Sequence, residues 1–187
     1  MKKIWMIGLF LIGALGLSAQ EQGTQDLRVG IGFETSNEFL NSAGNLISGV
    51  SYANLTVTPA INVSYKTAIK DRWFFYVDGV YQGATEDLLE MTNKVGDVSH
   101  DFYSFGLGSD YHYISNEIFQ MYSGLSVGYT YQHSKFNYTQ DISNQNEGYL
   151  NFHLNAVGFR MGKKFAGFAE LGVGYKGFLN LGASYQF

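Results

Sequence analysis

Seven ionisable residues, Arg28, Glu34, Lys66, Asp78, Asp110, Arg160 and Glu170, fall on the polar parity of segments whose other parity is apolar. On one face of a closed sheet they would bring cations and anions into a confined space. The chemistry open to such a set is ion gating, a proton-linked site, or mutual neutralisation in a salt-bridged plug. A buried charge needs a partner, so a plug is the expectation and gating the functional alternative. The four histidines, His100, His112, His133 and His153, are the other candidates. His100, beside Asp101, is expected near an outer rim with His133 and His153. With a carboxylate or a serine these would suit a metal site or an acyl-transferring enzyme acting on outer-leaflet lipid. No H-x-x-x-H spacing occurs and no serine stands in a nucleophile turn, so the expectation is no metal, no cofactor and no catalytic residue. Gly-x-Gly at 30–32, 106–108 and 172–174 lies inside alternating segments, not between a strand and a helix, which excludes a phosphate loop.

The elements that would position these residues repeat with period two, the signature of half-buried strands. Residues 27–34 set Leu27, Val29, Ile31 and Phe33 against Arg28, Gly30, Gly32 and Glu34. Residues 54–66 alternate through six successive pairs, interrupted in character only by Pro59. Proline cannot donate to a strand ladder, so a bulge is expected there. Segments 73–83, 99–113, 118–132, 165–175 and 178–187 alternate likewise. A sixth, irregular segment carries Leu150, Phe152, Leu154 and Ala156 on one parity, which if continued would turn Arg160 outward. Either a bulge near 155–158 resets the parity, or Arg160 lies at a rim. The count is eight strands. The connections 35–53, 84–98 and 133–148 are long and polar, with a helical turn expected at 85–92, whereas those at 67–72, 114–117, 162–164 and 176–177 are short.

The composition suits strands that face lipid. Aromatic residues make up 17% of the chain and charged residues only 15%, against about 25% charged in ordinary soluble domains. Outward aromatics gather near strand ends, with Tyr65, Trp73, Phe75, Tyr111, Tyr113, Phe119, Tyr185 and Phe187 at one level and Phe33, Tyr81, Tyr103, Tyr129, Tyr131 and Tyr175 at the other. These are expected to form two interfacial girdles. Inward glycines fit a barrel whose interior is only just wide enough for side chains.

Lys2 and Lys3 before an apolar run over 4–17, then Leu17, Ser18 and Ala19, read as a secretory signal cleaved after residue 19. Removing Lys2 and Lys3 from the 12 basic residues leaves 10 against 16 acidic ones. Without cysteine the chain forms no disulfide and no thiolate metal site. No basic patch exists, so nucleic acid is not an expected partner. The long connections carry Glu38, Glu86, Asp87, Glu90, Asp97, Asp141 and Glu147 against Lys94 and Lys135. Acidic loops of this kind would meet a surface partner, or divalent cations among lipopolysaccharide phosphates.

The last eight residues, NLGASYQF, resemble the C-terminal assembly signal of bacterial outer-membrane proteins, with Asn180, Gly182, Tyr185 and Phe187 in its specified positions. The stretch 157–187 is similar to the end of small outer-membrane β-barrel domains of the porin-like superfamily, and the whole plan resembles the transmembrane domain of outer-membrane protein A. The resemblance implies insertion by the β-barrel assembly machinery into an outer membrane of lipid and lipopolysaccharide, and it implies no reaction. The sequence therefore predicts a signal peptide at 1–19 and, over 20–187, one all-β domain, an eight-stranded antiparallel up-and-down transmembrane β-barrel with short turns and both termini on the periplasmic side. A structural or surface-interaction role without catalysis is expected. The alternatives are a narrow pore or conduit for small or apolar solutes, with a lateral gap beside Pro59 or the irregular sixth strand as its sign, and an outer-leaflet lipid-modifying enzyme.

Overall fold

The computed structural model describes residues 22–37, 51–90, 93–138 and 144–187. Residues 1–19, where a signal is expected, most of the first long connection with Glu38, and Asp141 lie outside the described residues. The strands are β1 (Gln25–Phe33), β2 (Ser51–Val57), β3 (Ala60–Lys70), β4 (Trp73–Glu90), β5 (Asn93–Ser115), β6 (Phe119–Tyr138), β7 (Gln145–Gly162), β8 (Phe165–Gly174) and β9 (Leu179–Gln186). Every pairing is antiparallel. β1 pairs β3 on one side and β9 on the other, and β3 through β9 pair in sequence, so eight strands form a ring. Leu27 opposite Tyr185 and Ile31 opposite Leu181 close it, and Gln25 and Phe187 exchange two backbone hydrogen bonds of 3.0 Å at its lower end. Closure removes the free edges that an open sheet would expose.

β2 and β3 are one stave broken at Thr58 and Pro59, for both pair with β4. Pro59 has no N–H, and the ladder is repaired beside it. The Thr58 N–H donates to the Gly83 carbonyl (2.9 Å), and the Thr58 hydroxyl accepts from the Gly83 N–H (2.9 Å). In β7 a register shift between Asn155 and Val157 resets the parity, so that Leu154 and Phe159 both face out while Arg160 faces in.

Apolar and polar faces are reversed relative to a soluble protein. Phe105 is 69% and Val127 64% exposed on the outside, whereas Arg28 and Lys66 are 1% exposed on the inside. Such a surface is stable in hydrocarbon, where every backbone group must already be paired within the barrel. Trp73 lies against Tyr111 (5.0 Å between ring centroids) and Tyr81 against Tyr103 (5.3 Å), marking the two aromatic levels. The β4 residues Trp73 and Tyr81 are separated by about 26 Å of strand at about 3.3 Å per residue, or about 20 Å in height at a tilt near 40°. That is close to the apolar band of transmembrane β-barrels, about 25 Å tall. The architecture is an eight-stranded antiparallel up-and-down β-barrel.

Three expectations are corrected. Residues 84–98 are not a loop with a helical turn, because the ladder of β4 with β5 continues through Thr85 opposite Ser99 to Glu90 opposite Asn93. Residues 133–148 are likewise mostly strand, with β6 reaching Tyr138 and β7 starting at Gln145. Cross-strand pairing sustains both extensions where polar composition alone suggested loops. Tyr175 does not join the outer girdle. Gly174, at φ 139°, turns the chain at the end of β8, and Tyr175 is fully buried in the lumen.

β8 and β9 are shorter than β4 to β7, and β8 meets β7 only as far as His153 opposite Gly174. Above that level β2, β4, β5, β6 and β7 rise as an open wall. Among the described residues, β2 pairs only with β4, and residues 145–151 of β7 pair only with β6.

Candidate functional site: the lumen

Parity delivers polar side chains to the lumen, and the narrow bore forces them into contact. At the lower level Arg28 bridges two acids. Its Nε donates to Asp26 Oδ2 (2.8 Å), and its Nη1 donates to Glu170 Oε1 (3.2 Å) and to the Tyr122 hydroxyl. The guanidinium lies over the rings of Tyr122 (4.8 Å) and Phe168 (5.3 Å), where a planar cation gains from the aromatic quadrupole. Lys66 makes a close ion pair with Asp110 and a longer one with Glu170 (3.6 Å). Glu170 in turn accepts from Tyr122 (2.8 Å) and, on its other oxygen, from Asn180 (3.0 Å).

Arg160 serves the wall. It pairs with Asp26 (3.8 Å), its Nε donates to Ser184 Oγ (2.6 Å), and its other nitrogens donate to the carbonyls of Gly162 (3.1 Å), Lys163 (2.7 Å) and Lys164 (3.1 Å). It therefore fixes the turn from β7 to β8, whose last strand residue, Gly162, has φ 135°.

At the upper level the connection from β8 to β9 folds inward. Lys176 Nζ lies 2.8 Å from Asp78 Oδ2 and 4.5 Å from the Tyr76 ring centroid. The Tyr175 hydroxyl donates to Asp78 Oδ1 (2.9 Å) and is 2.7 Å from Ser126 Oγ. Above these, Thr35 and Asn37 reach over the lumen to Gln82, and Tyr149 and Asn151 both donate to Asn37 Oδ1 (3.0 and 3.2 Å).

Six of the seven charges singled out in the sequence meet here: Arg28, Lys66, Asp78, Asp110, Arg160 and Glu170 are all buried in the lumen. Glu34 does not join them. The β1 ladder ends at Phe33 opposite Leu179, and Glu34 follows at φ 56° with its side chain exposed. Two participants come from outside the predicted set. Asp26, two residues before Arg28, continues the inward parity of β1, so its signal was present in the alternation. Lys176 gave no periodic signal, because it belongs to a turn and its long side chain reaches back into the bore.

The histidines do not converge. His112 is stacked in the lumen between Phe74 (4.3 Å) and Tyr122 (4.7 Å). His153 is buried beside Tyr175 (5.8 Å), not at the rim as expected. His100 faces the inner side of the raised wall, with Nδ1 2.8 Å from Ser134 Oγ, while His133 Nδ1 meets Asn146 Oδ1 (2.5 Å) on the other side. Burial holds the His100 imidazole below its ordinary pKa, and its Nε2 has no hydrogen-bond partner among the described residues. Among the described residues no carboxylate is hydrogen-bonded to the His100 ring, as a general base of a His–Ser pair would require. Among the described residues no group of three His, Asp or Glu side chains is placed to hold a metal ion.

No family model matches the chain, and no curated protein matches it. Among solved structures, that of Ail, the attachment invasion locus protein of Yersinia pestis, is similar at 16% identity, covering 89% of this chain and 100% of that one, with a TM-score of 0.47. The same protein in complex with the heparin analogue sucrose octasulfate gives 15% identity, the same coverage and a TM-score of 0.49.

Proposed function

We propose that this chain is a non-catalytic, integral outer-membrane protein that seals its own lumen and presents a raised strand wall for interaction at the cell surface. The carrying observation is the packed lumen. Arg28, Lys66, Tyr76, Asp110, Tyr122, Glu170, Tyr175 and Lys176 leave at most 3% of their surfaces accessible, so water has no continuous path past them. An open pore would leave some of these groups wet. The hydrogen bonds joining Thr58 to Gly83 work against a lateral conduit beside Pro59, and the separated histidines work against a lipid-modifying enzyme.

In this reading residues 1–19 are a signal removed on export. Asn180, Gly182, Tyr185 and Phe187 address the chain to the β-barrel assembly machinery, after which lipid and lipopolysaccharide cover the apolar band. The short turns lie on the periplasmic side, and the wall of β2 and β4 to β7 stands outside. The edge of β7 away from β6 along residues 145–151, which meets no strand among the described residues, together with acidic side chains such as Asp87 and Asp97, is what a surface partner would meet.

The test joins fractionation with electrophysiology. The protein is expected in the outer-membrane fraction with heat-modifiable gel migration, and without steady conductance in planar bilayers. A soluble periplasmic protein, or porin-like current steps, would overturn the proposal.

A further inference from the structure

The chain is held to β3 beyond the start of the β1 ladder. Before Gln25, the Ala68 N–H donates to the Thr24 carbonyl (2.8 Å) and the Gly23 N–H donates to the Ala68 carbonyl (2.9 Å), with Gly23 at φ 94°. Two residues thus face one, the arrangement of a β-bulge, and the left-handed φ explains glycine at this position. One residue earlier, Gln22 Nε2 donates to the Ile69 carbonyl (3.1 Å). The chain is therefore fastened to the lower end of β3 as far back as residue 22.

In the export reading proposed above, cleavage after Ala19 makes Gln20 the first residue of the exported chain, two residues before that fastening. Two residues of chain span at most about 7 Å, so the new α-amine stays at the periplasmic rim, near the exposed Lys70 and Asp71. Glutamine carries a carboxamide placed to consume that amine. The α-nitrogen attacks Cδ and a C–N bond closes a γ-lactam. The bond from Cδ to the side-chain nitrogen breaks, and that nitrogen takes a proton from the amine and leaves as ammonia. No oxidant, cofactor or second substrate is needed. Asparagine in this place would have to close a strained β-lactam, and glutamate would have to expel oxygen from a carboxylate. Attack requires the neutral amine, and an α-amine titrates at about 8, so a usable fraction is neutral in the periplasm.

We infer that Gln20 is a modification site, and that the exported protein carries an N-terminal pyroglutamyl group in place of a free α-amine. The product is specific to one cut, since cleavage after Ser18 would open the chain with Ala19 and cleavage after Gln20 would open it with Glu21. The consequence is protection of the closing seam. Aminopeptidases grip a free α-ammonium. Trimming from Gln20 through Thr24 would remove every bond that Gln22, Gly23 and Thr24 make to β3, and would leave the Gln25–Phe187 pair as the end of the sheet. A lactam offers no ammonium, so the bulge that fastens β1 to β3 lies behind a blocked end.

The inference rests on the export reading, and the experiment separates the two. Protein recovered from outer membranes of the native cell is quenched at once in cold acid and weighed by intact-protein mass spectrometry. The expected mass is that of residues 20–187 less one ammonia. Treatment with a broad-specificity aminopeptidase should leave it unchanged, whereas pyroglutamyl aminopeptidase should remove residue 20. Gln20→Ala is expected to give residues 20–187 without the loss of ammonia and to be shortened by the broad-specificity enzyme, while its migration stays heat-modifiable. Wild-type residues 20–187 at full mass, a lactam that forms only as the purified protein stands, or an exported chain opening at a residue other than Gln20 overturns the inference alone. A chain that keeps residues 1–19, or one absent from the outer membrane, overturns the reading beneath it.

Discussion

Replacing Glu170 by glutamine keeps the volume of the side chain and removes one charge at the node of the lumen. Glu170 receives Tyr122 and Arg28 on Oε1 and Asn180 on Oε2. A glutamine amide offers one accepting end only, so its NH₂ must face one of these donors. Arg28 and Lys66 also lose one of their two counter-charges, keeping Asp26 and Asp110 respectively. Removing one partner of a buried ion pair costs about 3 to 5 kcal/mol. With a urea dependence of about 2 kcal/mol per M, the unfolding midpoint should fall by about 2 M without a change in slope. In residues 20–187 Trp73 is the sole tryptophan, and its place at the lower aromatic level makes its fluorescence a direct reporter of unfolding from micelles or vesicles. Arg28→Met in the same background removes the cation facing Glu170. It leaves Asp26 with Arg160 and Lys66 with Asp110. The double variant should therefore lose less than the two single losses added together. A Glu170→Gln midpoint within about 0.3 M of wild type, or strict additivity in the double variant, would refute the argument that mutual neutralisation holds the lumen.

Further outcomes follow from the same geometry. Gly106→Ala must displace Tyr175 from Asp78 and is expected to destabilise by about 1 to 3 kcal/mol, the usual range for overpacking. Gly79→Ala on the outer face should be neutral or stabilising by about 0.5 to 1 kcal/mol, and the paired urea midpoints check both. At the tip of the raised wall Asp87 accepts from Lys94 Nζ (2.5 Å) and Asn54 Nδ2 (3.0 Å), and these bonds, that from Lys94 foremost, hold its carboxyl below the ordinary 3.8. A depressed carboxyl contributes stability that is fully present above the unfolded pKa and lost as pH falls through the folded one. Hydrogen exchange at the tip of the β4–β5 hairpin should thus show protection at neutral pH that fades only in acid. Lys94→Gln should raise the Asp87 titration seen by carboxyl NMR; an unchanged titration would remove Lys94 as its cause.

The ring of strands was legible because lipid imposes a rule on every second residue: where the outside must be apolar, alternation survives in the sequence, even through Pro59 and past the reset at Asn155. Above the upper aromatic level no such rule operates. Thr85, Asp87 and Lys135 can face out on a perfectly paired strand, so 84–98 and 133–148 looked like loops although their ladders continue. The lumen set was limited differently. The seven charges chosen by parity comprised three cations, Arg28, Lys66 and Arg160, against four anions, Glu34, Asp78, Asp110 and Glu170. A sealed, low-dielectric bore does not tolerate an odd charge easily, so the imbalance itself indicated that the set was incomplete. The fold removes Glu34 at the positive φ that ends β1, adds Asp26 from the other end of that strand, and brings in Lys176 from a turn. Four cations then meet four anions, and the buried Glu86 lies farther along β4 in the raised wall. Charge balance along the inward parity alone thus calls for one more cation than the alternating segments supply. Near the upper end, where Asp78 lacked a partner and the last connection is short, Lys176 is the residue that meets the need.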